Sequence, residues 1–204
     1  SYIRVVDYKT GNKTFNLSDV LFGLNMQMLI YLDAIEQNGK KKYGNTIVPA
    51  GALYFKAIQP LAEAKNFSET DNAKKVLKSK LCMDGIVLEN DDVIYGMEKD
   101  GNQIFVPVFA EKKSSRKKND ALVKLQDMKI ISKYVKKRII DMANNLNKGI
   151  VSEKPICAGQ NECIWCDYFP ICRYEKKEFI NVKKVSMEKS LKKMSEELDL
   201  KNET

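Results

Sequence analysis

The stretch that decides the fold is IRVVDYKTG, at residues 3–11 of a chain of 204 residues. Apolar residues lead up to Asp7, one residue separates it from Lys9, and a turn of small residues follows. This order predicts a β-strand, and because side chains alternate between the faces of a strand, Asp7 and Lys9 project the same way. A carboxylate beside an ammonium suits metal-dependent hydrolysis of phosphodiesters, since the carboxylate holds a divalent cation and the lysine orients or polarises water. Alone, the tripeptide is a weak signal, because any exposed strand end can carry it.

A helix is predicted next, over residues 17–37, because apolar residues recur there at helical spacing. Its start is capped by Asn16 or Ser18. The predicted buried stripe consists of Leu17, Val20, Leu21, Leu24, Met28, Leu29 and Leu32. Gln27 and Tyr31 lie four residues apart and therefore share one helix face. By itself such a pair is more often an ordinary surface pair than part of a site.

Together, the acid-x-lysine strand and the Gln-x-x-x-Tyr helix resemble the RecB-like branch of the PD-(D/E)XK nucleases. The resemblance implies an α/β, restriction-endonuclease-like core, present here in part, with a helical insertion and a carboxyl-terminal cysteine cluster. It implies Asp7, Lys9, Gln27 and Tyr31 as catalytic residues, with Asp7 as a ligand of Mg²⁺. Gln27 and Tyr31 would then orient Lys9 or a nearby phosphate.

The composition limits the classes of function. The chain has 35 Lys and Arg against 27 Asp and Glu, a net charge of +8. That balance favours a polyanionic partner, although a lysine-rich composition with abundant Asn and Ile can also reflect genome bias. The sequence has no histidine, which excludes Ser-His and Cys-His nucleophiles and His-ligated zinc within it. No apolar run reaches about eighteen residues, so no membrane partner is predicted.

The start of the chain, Ser1, is neither an initiator Met nor part of a signal peptide, and we expect a piece of a longer protein. Five cysteines without a secretory segment suit a reducing compartment, so a cytoplasmic location is expected. Four segments are predicted: a partial nuclease core at 1–60, an insertion with a long helix at 61–150, a cysteine segment at 151–176 and a charged tail at 177–204.

The predicted elements after the first helix include a strand over residues 46–58 and a strand-like stretch over 103–109. Residues 111–118, with five basic side chains in eight, form either a DNA-facing loop or a solvated linker. A long helix is predicted over 121–146, stopped by Gly149. Its core-facing stripe would be Leu122, Leu125, Met128, Ile130 or Ile131, Tyr134, Val135, Ile139, Met142 and Leu146. Leu191, Met194 and Leu198 predict a further helix near the end.

A cysteine cluster follows the long helix. Cys163, Cys166 and Cys172 have the spacing C-x2-C-x5-C, with Cys157 nearby, and thiolates two residues apart bind one metal through a tight turn. Two sites compete: a zinc knot that includes Cys157, and an iron–sulfur cluster that takes a fourth cysteine from elsewhere. Cys82 is interpreted as a core residue.

The order of these features over roughly residues 2–176 resembles the carboxyl-terminal region of the AddB/RexB family, which belongs to the ATP-dependent helicase–nucleases. The resemblance implies a [4Fe–4S] cluster on Cys163, Cys166 and Cys172 with its fourth cysteine upstream. It also implies a second metal-binding acid upstream, DNA as substrate, an AddA-type helicase–nuclease partner and a role in double-strand-break processing. The sequence has no phosphate-binding G-x-x-x-x-G-K-[ST], so ATP is bound elsewhere in the complex.

That resemblance predicts that the chain by itself is inactive and lacks an intact cluster. Two alternatives remain open at this point. One is a stand-alone exonuclease of the CRISPR-associated type with the same motifs and cluster. The other is a non-catalytic DNA-binding module stapled by zinc.

Overall fold

The computed structural model describes residues 1–11, 13–44, 46–57, 80–99, 105–108, 121–150, 156–157, 163, 166–172 and 180–199. Six strands lie in these ranges: β1 (Tyr2–Lys9), β2 (Val48–Lys56), β3 (Asp84–Leu88), β4 (Leu122–Val123), β5 (Ile156–Cys157) and β6 (Ile180–Asn181). Their seven helices are α1 (Leu17–Leu21), α2 (Gln27–Asn38), α3 (Lys40–Tyr43), α4 (Asp91–Met97), α5 (Leu125–Asn147), α6 (Phe169–Cys172) and α7 (Met187–Asp199).

The first four strands form one mixed sheet in the order β1-β2-β3-β4. β1 and β2 are parallel, β2 and β3 antiparallel, and β3 and β4 parallel. The predicted strands around residues 3–11 and 46–58 are therefore confirmed as β1 and β2. Their register places Asp7 beside Tyr54 and Lys9 beside Lys56, so the ends of both strands meet at one edge of the sheet. The short strands β5 and β6 pair separately and in parallel.

The chain divides into two compact units, the first of which is residues 1–15 and 27–132. It contains the four-stranded sheet, and α2 packs against β1 and β2. The central strands are buried and apolar, as is typical of strands covered on both faces. Its core is formed by Met28, Leu29, Leu32, Ala52, Leu53, Tyr54, Ile86, Val87, Val123, Met128 and Ile131.

The second unit comprises residues 16–26 and 133–204. In it, α1 packs against α7, and Tyr134 on α5 is fully buried. The predicted helix near the end of the chain is confirmed as α7. Met194, at the centre of its predicted apolar stripe, is fully buried, so this helix uses its apolar face for packing inside the unit.

The predicted single helix over 17–37 is wrong, since α1 and α2 are separate helices. Between them, Gly23 has φ of 78° and Asn25 has φ of 54°, left-handed conformations that interrupt a right-handed helix. The turn is fastened to α1, because the Asn25 side-chain amide donates to Oδ2 of Asp19 at 2.7 Å. The predicted cap is correct: Asn16 caps α1 and accepts a hydrogen bond from the Ser18 backbone.

The long helix starts later than predicted. Leu122 and Val123 form β4, which pairs with β3, so α5 begins only at Leu125. Its end agrees with the prediction, since Gly149 has φ of 66° and terminates the helix. The predicted stripe is buried at its centre, from Met128 to Val135, and wrong at its ends, where these residues are exposed: Leu125, Ile139, Met142 and Leu146.

Other predictions have different outcomes. Residues 105–108, expected to be strand-like, form a bend. The basic stretch 111–118 lies outside the described residues, and the four-segment division of the chain stays a prediction. In the described part of the chain, no helix is both long enough and apolar enough to span a membrane.

Candidate active site

Asp7 and Lys9 lie together at the end of β1, as predicted. The Lys9 ammonium nitrogen is 2.6 Å from Oδ2 of Asp7, and the side chains are 24% and 20% exposed, respectively. This Oδ2 atom is buried, yet it accepts no hydrogen bond from any described residue, because Lys9 approaches outside hydrogen-bonding angles. A buried carboxylate oxygen that keeps acceptor capacity is suited to a metal ion.

Tyr54 forms the floor beside this pair and was missed as a site residue by the sequence reasoning. It is 1% exposed, and its ring lies 5.5 Å from the Lys9 ammonium. Lys13 reaches the same ring, with its ammonium at 5.6 Å from the centroid. Both distances allow a cation–π interaction. The signal in the sequence was only that Tyr54 lies in a predicted strand, since the register that brings it beside Asp7 requires the pairing of β1 with β2.

The connection after β1 is held against the sheet through Phe15. Its backbone N–H donates to Oδ2 of Asp84 on β3 at 2.9 Å, and its ring meets that of Tyr54 at 6.3 Å between centroids. Asp84 is itself paired with Tyr54 in the register of β2 and β3. The segment that follows Lys9 is therefore attached to the sheet close to the candidate site.

Gln27 and Tyr31 form the second predicted pair, and the structure brings them together. The Gln27 side-chain amide donates to the Tyr31 hydroxyl at 3.1 Å, and both residues are exposed. They lie in the first turns of α2, which packs on the strand that carries Asp7 and Lys9. Within the described ranges, no hydrogen bond or ion pair links this pair to Asp7 or Lys9, so the structure places the two pairs on neighbouring elements without joining them.

Asp7 offers one carboxylate to a metal ion. Among the described residues, no group of three or more acidic or cysteine side chains is arranged to hold a metal. Mg²⁺ is usually held by one or two carboxylates and keeps several waters. The residues at this place therefore fit part of a magnesium site, with Asp7 as the ligand on the side of β1.

The cysteine segment is described in part. The Cys166 backbone N–H donates to the Cys163 carbonyl oxygen at 3.1 Å, and Phe169 N–H donates to the Cys166 carbonyl at 3.0 Å. These bonds form the tight turn that a C-x2-C metal-binding pair requires. Cys172 is the last residue of α6. The donor set fits a soft metal or a cluster and does not choose between zinc and iron.

Cys82 is half-buried rather than fully buried. Burial raises the pKa of its thiol, and the negative charges of Glu98 and Asp84 raise it further. A thiol held neutral in this way is a poor nucleophile and a poor metal ligand, in agreement with its interpretation as a structural residue.

The edge-strand Asp-x-Lys, its mixed sheet and the packed α2 define a nuclease core, and comparison with known families agrees. The model of the PD-(D/E)XK nuclease superfamily matches residues 1–173. The chain belongs to this superfamily, and its α/β fold with a mixed sheet is the expected restriction-endonuclease-like core.

The curated relatives are more particular, and each is the B component of an ATP-dependent helicase/deoxyribonuclease. The chain is 33% identical to that of Acetivibrio thermocellus over 86% of its own length, and covers 16% of that protein. The identity is 36% to the protein of the same name from a Thermoanaerobacter species, again over 86% of the chain and 15% of the relative. It is 29% over the whole chain for Alkaliphilus metalliredigens, covering 18% of that relative. The chain thus spans about a sixth of the length of these relatives.

Proposed function

We propose that this chain is part of the nuclease region of a helicase–nuclease of the AddB/RexB type and that, in the full-length protein, it hydrolyses DNA phosphodiester bonds with Mg²⁺. The observation that carries the proposal is the Asp7–Lys9 pair. The two side chains are 2.6 Å apart at the end of β1, and the buried Asp7 Oδ2 keeps acceptor capacity. Membership of the nuclease superfamily and the names of the relatives support it.

In this mechanism Asp7 holds the metal ion together with water and oxygen ligands from outside the described residues. Bound there, Mg²⁺ supplies positive charge that polarises the scissile phosphate. Lys9 orients the attacking water through its ammonium and offsets negative charge that develops on the phosphate oxygens. Tyr54 limits the positions open to the Lys9 side chain, because its buried ring lies beneath the ammonium. Gln27 and Tyr31 orient a neighbouring phosphate from the start of α2.

The cysteine segment supplies a structural cofactor site under the same proposal. Cys163, Cys166 and Cys172 hold a [4Fe–4S] cluster with a fourth cysteine from another part of the full-length protein. The tight turn between Cys163 and Cys166 supports this. Such a cluster supplies cross-links that hold distant parts of the chain together.

The partner under this proposal is an AddA-type helicase–nuclease protein, and the pathway is double-strand-break processing. The support is that the relatives are named as one component of an ATP-dependent enzyme with more than one kind of chain. The sequence contains no phosphate-binding loop, so the ATP that such a complex consumes binds outside this chain.

The test is magnesium-dependent cleavage of linear DNA by the full-length protein in complex with its partner. Asp7→Asn and Lys9→Ala should each lower the cleavage rate by at least about 10³-fold, the usual cost of losing an electrostatic catalytic group. Lys192→Ala is the matched control, since Lys192 lies on α7, is 78% exposed and pairs only with Glu196 among the described residues. Cleavage by the Lys9→Ala complex at the unchanged rate would contradict the catalytic role and favour a DNA-binding module.

For the isolated chain of 204 residues we propose no nuclease activity and no intact cluster. Absorption spectra of the chain purified without oxygen should then lack the broad iron–sulfur band, while the full-length protein should show it. Elemental analysis of the full-length protein decides between iron and zinc. Robust cleavage by the isolated chain that is lost in Lys9→Ala would overturn this part of the proposal.

A further inference from the structure

A second lysine stands beside the candidate catalytic pair. Lys13 lies in the connection after β1, where its backbone N–H donates to the Gly11 carbonyl at 3.0 Å. Two residues later, Phe15 is tied to Asp84 and packed against Tyr54. The backbone around Lys13 is therefore fixed to the sheet close to the site, and so is the region that its side chain can reach.

Two ammonium groups meet at one aromatic ring. The Lys9 and Lys13 nitrogens lie 5.5 and 5.6 Å from the centroid of Tyr54, although like charges repel each other. Lys9 is compensated by Asp7 at 2.6 Å. Lys13 is exposed, and among the described residues it forms no ion pair with a carboxylate. An anion bound beside Tyr54 would relieve the repulsion, and Lys13 has the charge available for it.

From this geometry we propose that Lys13 binds a backbone phosphate of the DNA strand next to the phosphate that is cleaved. The inference rests on the proposed nuclease function and names a further substrate contact at the same site. Phosphates of one strand follow each other at about 3.4 Å along the axis of B-DNA. A cation that shares the ring beneath Lys9 is therefore placed to meet a neighbouring phosphate once Lys9 acts at the scissile one. Lys13 holds the strand in register, and the chemistry stays with Asp7 and Lys9.

The test uses the full-length complex and a short linear duplex, with kcat/KM for cleavage measured over a range of salt concentrations. Losing one phosphate contact on B-DNA lowers the slope of log affinity against log salt by about 0.9. We expect Lys13→Ala to lower the magnitude of this slope by about that amount and to raise KM about tenfold at low salt. Lys13→Arg, which keeps the charge, should retain the slope.

Lys42→Ala is the matched control. The Lys42 ammonium lies 5.4 Å from the ring of Tyr43, so it makes the same type of contact and is also exposed, but it belongs to α3. Its loss should leave slope and KM unchanged. If Lys13→Ala does not fold, Lys13→Gln removes the charge with a smaller change of shape and gives the same reading.

A slope in the Lys13 variants equal to that of Lys42→Ala overturns the inference. The outcome is separable from the proposed function through Lys9→Ala, measured in the same complex. If Lys9→Ala abolishes cleavage while the Lys13 variants behave like the control, the nuclease assignment stands and the Lys13 contact is wrong. If Lys9→Ala cleaves normally, both are wrong.

Discussion

Replacing Tyr134 by phenylalanine removes one hydroxyl that fastens α7 to α5. Tyr134 is fully buried, and its hydroxyl donates to Oε2 of Glu197 at 2.8 Å, with the Leu21 carbonyl oxygen more distant at 3.3 Å. A hydrogen bond to a charged group contributes about 1.5–3 kcal/mol. Because the Glu197 side chain is 44% exposed, water replaces part of the lost bond, and we expect the low end, about 1.5 kcal/mol. For a chain of this size that lowers the melting temperature by about 3–6 °C.

The same hydroxyl predicts a pH dependence. Burial raises the pKa of Tyr134 above its ordinary value of 10, and the hydrogen bond and charge of Glu197 raise it further. The folded state therefore favours the neutral phenol. This contribution to stability is complete below the unfolded pKa of about 10 and is lost as the pH rises towards the folded one. Above pH 10 the wild-type protein should lose stability more steeply than Tyr134→Phe, and the difference between them should shrink.

Urea unfolding between pH 7 and 11, followed by circular dichroism, measures both effects. The difference between the two proteins cancels the alkaline titration of lysines, which both share. A double-mutant cycle with Glu197→Ala isolates the pair, and we expect a coupling of about 1 kcal/mol. A coupling near zero, or parallel alkaline decline in the two proteins, would refute this account of the contact.

Two further predictions concern the sheet and α2. Gly85→Ala should lower the free energy of unfolding by at least about 2 kcal/mol, since a Cβ would lie 2.1 Å from the Ala52 carbonyl oxygen at a φ of 151°. Gly96→Ala, with open space around its Cβ, is the control and should be neutral or slightly stabilising in urea melts. Tyr31→Phe removes the acceptor of the Gln27 amide and should lower kcat/KM of the full-length enzyme about tenfold with an unchanged melting temperature, because Tyr31 is half exposed. An equal fall in melting temperature would assign this pair to folding.

The local parts of the candidate site could be predicted from the sequence. The alternation of a strand places Asp7 and Lys9 on one side, and the helical repeat places Gln27 one turn from Tyr31; both pairs are in contact in the structure. These predictions depend on residues within five positions of each other. Their geometry follows from the period of the element and needs no tertiary information.

The parts that depend on pairing between distant segments could not be predicted. Tyr54 lies beside Asp7 only because β1 and β2 pair in one particular register, and period alone does not set that register. Leu122 and Val123 continued an apolar helical pattern, but β3 draws them into the sheet. In each case a hydrogen-bonded neighbour far along the chain overrides the local preference.

The helix break is a different kind of miss. Apolar residues continue through residues 21–26, so the period gave no sign of an interruption. The signal was Gly23 followed closely by Asn25, the two residue types that adopt left-handed conformations most readily. In the structure both do.

That break sets the electrostatics of α2. In a continuous helix over 17–37, Gln27 would lie mid-helix, where successive peptide dipoles cancel head to tail. Instead it is the first residue of a helix of twelve residues, at the end where the dipoles sum to about half a positive charge and where the first backbone N–H groups lack partners within the helix. Closing the turn at Gly23 would thus remove a positive field from Gln27 and Tyr31 without changing either side chain.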